Sequence, residues 1–303
     1  MMINVVITGG SGLIGSQLTQ LLINNNYSVT ILTRGNRKSS NKLKYSFWDI
    51  ENQLVDIDVI TNADYIIHLA GEGIAEKRWT NKQQQKILQS RVELTSFLFD
   101  VLSNHKNQLK AFISASGIGY YGAITTDVVF TEEHINHSDF LGETCMLWEN
   151  AIDKFNVIGI RTVKLRTGIV LAKDGGALPK MILPFKFGLG SALGSGNQFM
   201  PWIHINDLCS MYLKAIQDNN MNGAYNAVVD DATTNSIFTK SLSKVLGKRI
   251  VLPNVPSFVL KIMLGKMAVL LLKGSRVSNK KIKDSGFSFQ FENLEKALSD
   301  LIR

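Results

Sequence analysis

A doubly wound, parallel α/β sheet is the fold class that this 303-residue sequence predicts. Three observations predict it. Short β-branched runs alternate with segments of helical periodicity, the pattern of a parallel sheet with helical crossovers. A glycine cluster separates the first such run from the first helix. No proline occurs before Pro179, as expected of long regular elements joined by Gly, Asn and Asp turns. Right-handed crossovers then gather the carboxyl ends of the strands, and with them the site, on one edge.

Each element follows from its side chains. Residues 3–8 (INVVIT) read as a buried strand. Leu13, Ile14, Leu18, Leu21 and Leu22 fall at helical spacing, and Asn24, Asn25 and Asn26 end that helix. Residues 29–32, 45–48, 65–69, 111–114 and 162–166 give further strands. Ile87, Leu88, Val92, Leu94, Leu98 and Leu102 lend an apolar face to a long helix over 81–103, and a second helix covers 143–155. From Gly168 to Gly196 the chain turns glycine-rich, and 189–196 looks like a loop. Residues 224–228 suit one more strand, and a basic, partly helical tail begins near Ile250.

The glycine cluster carries chemistry. Gly9, Gly12 and Gly15 stand at G-x-x-G-x-x-G spacing between a strand and a helix. Gly9 permits the tight turn, Gly12 lets a pyrophosphate approach the backbone, and Gly15 lets the helix pack closely. The helix then offers unpaired N–H groups and a positive dipole to phosphates. An acidic residue at the end of the second strand would bind ribose hydroxyls and disfavour a 2′-phosphate. This chain has Thr33 and Arg34 there, with Arg37 and Lys38 behind. A guanidinium suits a phosphate through planar, charge-assisted hydrogen bonds, so NADP(H) is expected over NAD(H).

Read together, these residues resemble the extended short-chain dehydrogenase/reductase superfamily. His68-Leu69-Ala70-Gly71 looks like its adenine-wall motif, and residues 201–208 (PWIHINDL) like its late substrate-lobe segment. Arg78-Trp79-Thr80, Ser90-Arg91, Gly119-Tyr120-Tyr121, Trp148-Glu149, Gly175-Gly176-Ala177 and Leu183-Pro184 resemble the atypical "epimerase family protein" branch, which is sugar-nucleotide-epimerase-like. The resemblance spans essentially the whole chain, and the tail matches the small C-terminal domain of that branch. It implies a Rossmann-type sheet over 1–170, joined by roughly 205–228. A smaller substrate lobe would take 171–204 and 229–303, with 248–303 as a basic subdomain. It implies cofactor contacts at Gly9, Ser11, Gly12, Leu13, Ile14, Thr33, Arg34, Leu69, Ala70, Gly71 and Glu72. Lys86 and Arg91 would meet cofactor phosphates, and Thr167 and Val170 would line the nicotinamide end.

The same resemblance implies a Ser/Thr and a Tyr-x-x-x-Lys pair, in which lysine lowers the tyrosine pKa for proton transfer during hydride transfer. Ser116, expected just past the fifth strand, matches the hydroxyl. The pair is missing. Anchoring on Glu149 puts Leu141 and Cys145 at its positions, and a one-residue shift puts Phe140 and Thr144 there. Residues 130–160 contain no tyrosine, and Lys154 is their only lysine. Tyr120 and Tyr121 stand in as candidate acids. Glu143 reads as a first-turn helix acid, and His204 as either a substrate-facing or a structural imidazole. No metal-ligand constellation stands out.

Composition bounds the alternatives. Apolar residues make up 45% and mean hydropathy is +0.05, which excludes a disordered chain. Cys145 and Cys209 are too few for a disulfide framework and suit a reducing cytoplasm. The glycines interrupt any N-terminal secretion signal, and no run is long enough to span a membrane. The net charge is +8. Residues 248–303 hold eleven Lys+Arg against four Asp+Glu, and the rest of the chain twenty-two against twenty-one. The charge is therefore separate from the expected chemistry, and the solvated face of a docked subdomain accounts for it most simply. A basic amphipathic helix over 256–273 either docks on the neighbouring lobe or lies on a membrane, docking being commoner, with Met263 and Met267 as core filler. Three functions fit: an NADP(H)-dependent oxidoreductase or epimerase with a nonstandard acid, acting on a small carbonyl or sugar-like compound; a non-catalytic NADP(H) sensor or assembly factor; or a nucleic-acid or membrane binder. Base-stacking aromatics among the cations are not evident, so nucleic acid is not expected. A homodimer is compatible with this reading.

Overall fold

The computed structural model describes residues 2–35, 38–229 and 232–302. The strands are β1 (Asn4–Thr8), β2 (Ser28–Thr33), β3 (Leu43–Asp49), β4 (Leu54–Val55), β5 (Tyr65–His68), β6 (Ala111–Gly117), β7 (Val129–Phe130), β8 (Arg161–Thr167), β9 (Ile169–Leu171), β10 (Trp202–His204), β11 (Gly223–Ala227) and β12 (Arg276–Val277). The helices are α1 (Leu13–Asn24), α2 (Ile57–Thr61), α3 (Asn81–Asn104), α4 (Phe140–Val157), α5 (Leu178–Lys186), α6 (Ile205–Gln217), α7 (Asn235–Leu246), α8 (Ser257–Leu264), α9 (Val269–Leu272), α10 (Lys280–Asp284) and α11 (Leu294–Ile302).

The main sheet runs β11-β8-β6-β5-β1-β2-β3-β4. Its pairs are parallel except for the antiparallel β3–β4 edge. From β1 the chain moves outward through β2 and β3, then returns to the other side of β1 at β5. That reversal opens a crevice beyond the carboxyl ends of β1 and β5, where open α/β sheets bind ligands.

Alternation along the strands decides which helices cover which face. Val5, Ile7, Ile67 and Ile113 face Leu18 and Leu22 of α1 and Leu208, Met211 and Tyr212 of α6. Val6, Ile66 and Phe112 face Leu94 and Leu98 of α3 and Trp148, Ile152 and Phe155 of α4. Side chains fix the helix starts. Thr80 accepts from Gln83 N to cap α3, and Asp139 accepts from Gly142 N to cap α4.

The tail is tied to the body. β12 pairs with β7, Asp207 accepts from Gln290 N at 2.7 Å and Phe291 N at 3.0 Å, and the Phe291 ring stacks on His204 at 3.8 Å.

Four expectations change. The helix over 256–273 is broken: Gly265 has φ +59°, so α8 ends there and a 3-10 turn over Gly265–Ala268 leads into α9. Met263 is not core filler but mostly exposed, because Leu260 supplies the buried face of α8. The fifth expected strand extends three residues further, so Ser116 lies within β6 rather than past it. The helix of 143–155 starts earlier, at Phe140, because Asp139 caps it, and Glu143 falls in its first turn as expected.

Candidate functional site

The crevice is floored by the loop after β1. Thr8 Oγ1 accepts from Leu69 N and Ala70 N, both at 3.2 Å, and lies 2.8 Å from His68 Nδ1. With two N–H groups on its oxygen, the Thr8 hydroxyl donates to Nδ1 and the imidazole carries its proton on Nε2. Burial, reinforced by the nearby Arg91 charge, pushes His68 down to about 3, so it is neutral. This bonding stitches the ends of β1 and β5 together.

Gly9 turns with φ +69°, and a Cβ on it would stand 2.9 Å from Ala70 N. A Cβ on Gly15 would stand 2.3 Å from Gly9 O, so no side chain fits where α1 approaches the loop. Gly12 caps α1 and, having no side chain, makes no side-chain hydrogen bond to the first N–H groups of the helix. Ser11 is exposed and, with Gly12, Leu13, Lys173 and Asn206, lines a cleft of about 560 Å³ beside the loop. The Leu13 side chain packs against Gly175 and Gly176, whose Cβ positions would lie 3.3 and 3.1 Å from it.

Neighbouring strand ends complete the crevice. Thr33 closes β2 and accepts from Gly35 N at 3.3 Å. Arg34 follows, exposed, and Arg37 lies outside the described residues. Leu69, Ala70 and Gly71 follow β5, and Gly71 rests beside the Arg91 side chain. Arg91 Nη1 donates to Glu72 O at 3.0 Å and Ile87 O at 2.9 Å, and its guanidinium lies 5.2 Å above Trp148. Glu72 and Lys86 pair with each other at 3.5 Å. The Gln83 hydrogen bond, with Lys86 and Lys77, holds the Glu72 carboxyl below its usual range. Thr167 closes β8, its Oγ1 donating to Leu165 O at 3.1 Å, while Val170 sits in β9 opposite Ile203. Thus the glycine loop, Thr33, Arg34 and residues 69–72 share one edge, with Thr167 two strands beyond β5 along it.

A buried polar network lies beneath the far end of that edge. Arg166 Nε and Nη2 donate to the two Glu149 oxygens, each at 2.8 Å. Ser116 Oγ donates to Glu149 Oε1 at 2.7 Å. Arg166 Nη1 donates to the Tyr121 oxygen at 2.9 Å, and that hydroxyl donates to Asn226 Oδ1 at 2.7 Å. Glu132 Oε1 accepts from Asn226 N at 2.7 Å. Burial would depress the Arg166 guanidinium, but the Glu149 hydrogen bonds and charge outweigh it and raise it. Burial pushes the Tyr121 phenol up to about 12, against the opposing pull of Arg166.

Tyr120 differs from Tyr121. Its ring lies 3.5 Å from the Arg166 guanidinium, it is half-buried, and no hydrogen bond occupies its hydroxyl among the described residues. Leu141 and Cys145, at the expected Tyr and Lys positions, pack against bare backbone: a Cβ on Gly119 would stand 3.2 Å from Leu141 Cβ and 3.7 Å from Cys145 Sγ. Burial, with Glu149 nearby, pushes the Cys145 thiol up to about 12. His204 is buried, accepts from Asn206 N at 3.1 Å, faces Asp300 at 3.3 Å and contributes to the lining of the cleft beside the glycine loop.

Sequence reasoning missed Glu149, Arg166 and Asn226 as network members. A signal was present: Lys164 and Arg166 alternate along the apolar run of β8, and a buried charge needs a partner.

Comparison with known proteins fits this geometry. The model of the NAD dependent epimerase/dehydratase family matches residues 5–228. The chain belongs to that family. A domain of unknown function, DUF1731, matches residues 255–301 of this family member. The epimerase family protein SH2119 of Staphylococcus haemolyticus is 37% identical over 98% of both chains. The epimerase family protein YfhF of Bacillus subtilis is also 37% identical, over 99% of this chain and 98% of its own. Among solved structures, the human epimerase family protein SDR39U1 with NADPH is 31% identical, with a TM-score of 0.86 over 99% of both chains. A nucleoside-diphosphate sugar epimerase from Corynebacterium glutamicum is 29% identical, with a TM-score of 0.79 over 99% of this chain and 58% of its own.

Proposed function

We propose that this epimerase-family chain binds NADP(H) and reduces, oxidises or epimerises a small carbonyl or sugar-like compound, with Tyr120 as proton donor. One observation carries the reading. The ends of β1, β2 and β5 form a bare backbone cradle with an uncapped helix terminus, and a cation, Arg34, stands where an acid would select NAD(H). The NADPH bound by the human relative supports it.

Gly9 and Gly12 admit the pyrophosphate to the N–H groups of Leu13 and Ile14. Arg34 takes the 2′-phosphate. Leu69, Ala70 and Gly71 form the adenine wall, and Arg91 backs it. Thr167 and Val170 line the nicotinamide end, where the bound cofactor supplies or accepts a hydride. Tyr120 gives a proton to the substrate oxygen. Ser116, Tyr121, Glu149 and Arg166 act as positioning residues, because their polar atoms bond to one another. Arg166 holds the Tyr120 ring face and brings positive charge to a site lacking the usual lysine.

A second reading, an NADP(H)-binding sensor without turnover, draws on Leu141 and Cys145 at the usual catalytic positions. Fluorescence titration with NADPH and NADH tests what the two share. NADPH should bind at least tenfold more tightly, and Arg34→Ala should remove that preference, as loss of roughly 1.5–3 kcal/mol of charged hydrogen bonding implies. Equal affinities in the parent chain would refute it. A carbonyl and sugar-nucleotide panel separates the readings: turnover abolished by Tyr120→Phe with NADPH affinity intact supports catalysis, and tight binding without turnover supports the sensor.

A further inference from the structure

The small lobe presents a surface that nothing above uses. Residues 232–283 contain eleven Lys+Arg and no Asp or Glu, and residues 175–206 likewise contain no acid. The same stretches carry some of the most exposed apolar side chains of the protein. Phe258 is 63% exposed and Ile262 73%, one helical turn apart on α8, with the exposed Lys261 on the same stripe. Met263, at 61%, adjoins them, and Lys266 follows in the next turn.

A second exposed segment lies upstream of α8. Lys248, Arg249 and Val251 are exposed there. That segment is held beside the loop after α5, where Ser191 Oγ donates to Pro253 O at 2.6 Å and Leu193 bridges Val255. Phe187, 72% exposed, enters that loop next to Lys186.

A solvated face explains the cations but not the aliphatic side chains among them. Docking on the body already occupies part of α8 and the turn after it, through the buried Leu260, through Arg78, whose Nη2 donates to Ile262 O at 2.7 Å, and through Lys266, whose Nζ donates to Asn81 Oδ1 at 3.3 Å.

We propose that this face of the small lobe docks on an anionic lipid surface, with Phe258 and Ile262 entering the headgroup boundary and Lys261 and Arg249 meeting lipid phosphates. Exposed apolar side chains with cations beside them are the chemistry such a surface selects. Among the described residues no helix is long and apolar enough to cross a membrane, so the contact is peripheral. A second copy of the chain fits poorly, because a two-fold contact would set these cations against themselves. Nucleic acid fits less well, because beside the exposed Phe258 and Phe187 stand Ile262 and Val251, which stack on no base.

Sedimentation of the full chain with vesicles tests the docking. One vesicle set is phosphatidylcholine alone, and the other adds phosphatidylglycerol at roughly physiological anionic content. Binding should be roughly tenfold stronger on the anionic set and should fall steeply with salt. Ile262→Asn and, separately, Lys261→Glu combined with Arg249→Glu should each weaken it several-fold. The melting temperature and NADPH affinity should stay unchanged, which separates this inference from the cofactor reading. Equal binding to both sets, binding to neither, or variants that bind like the parent would overturn it. So would a dimer dissociated by Ile262→Asn, or tighter retention of an RNA oligomer than of anionic vesicles.

Discussion

The buried pair of Glu149 and Arg166 yields a prediction with a calculable size. Glu149 is 4% exposed and Arg166 3%. Glu149→Ala removes both 2.8 Å bonds to the guanidinium and the acceptor of the Ser116 hydroxyl, and leaves a buried cation without its carboxylate. Breaking such a pair from one side costs about 3–5 kcal/mol, a large share of the roughly 5–15 kcal/mol that holds a protein folded. At roughly 2–4 °C per kcal/mol, the melting temperature should drop by about 6–20 °C. Removing both charges together, as Glu149→Ala with Arg166→Met, should cost less than the sum of the two single changes, because the uncompensated charge is gone. Urea unfolding of the four proteins closes the cycle. A single-variant cost under about 1 kcal/mol, or strict additivity in the double variant, would refute the claim that the pair is desolvated and coupled.

Gly9→Ala should abolish NADPH binding and lower stability by about 1–3 kcal/mol, because its φ of +69° strains any side chain and its Cβ meets the backbone of Leu69 and Ala70; calorimetry of binding and unfolding checks both. Tyr121→Phe should cost about 1–2 kcal/mol, through lost bonds to Asn226 and Arg166 and an acceptor left unsatisfied; Tyr120→Phe, with no bond to lose, should change thermal stability little. His68 carries a pH signature. Its folded pKa of about 3 lies below the ordinary value, so the unfolded chain binds more protons as pH falls from about 6.5 towards 3. Its contribution is therefore intact above that window and lost within it, at up to about 1.4 kcal/mol per pH unit. The urea midpoint of His68→Asn should fall less steeply with acid than the parent's, and equal slopes would exclude the role.

Much of the fold was legible because parallel sheets write themselves plainly. Val5, Ile7, Ile66 and Phe112 are buried on both faces, so their strands read as continuous apolar runs. The glycine loop was legible for a different reason: at Gly9 and Gly15 only glycine fits, and the sequence records that directly. What was hidden depends on distance in space. The two-residue β4, β7 and β12 exist only through their partners. The break in the tail rests on one glycine, Gly265, inside an otherwise persuasive apolar run. Ser116 read only as a match to the expected hydroxyl position, because its acceptor, Glu149, lies thirty-three residues away.

The absent Tyr-Lys pair marks a rebuilt site rather than a deletion from an intact one. Cys145 is buried, its Sγ 3.7 Å from where Gly117 and Gly119 would carry a Cβ, and its surroundings already contain Arg91. A lysine there would bury a second cation without a new carboxylate, which desolvation strongly opposes. Positive charge instead enters this end of the sheet through Arg166, paired at its edge by Glu149 and presenting its flat face to Tyr120. Cys145→Lys, alone or with Leu141→Tyr, should therefore destabilise the protein by several kcal/mol and confer no dehydrogenase activity on it. Chemical denaturation paired with a hydride-transfer assay on sugar nucleotides checks both halves. A stable, active Leu141→Tyr/Cys145→Lys variant would mean that the ordinary pocket survives and that the Arg166–Tyr120 arrangement is incidental.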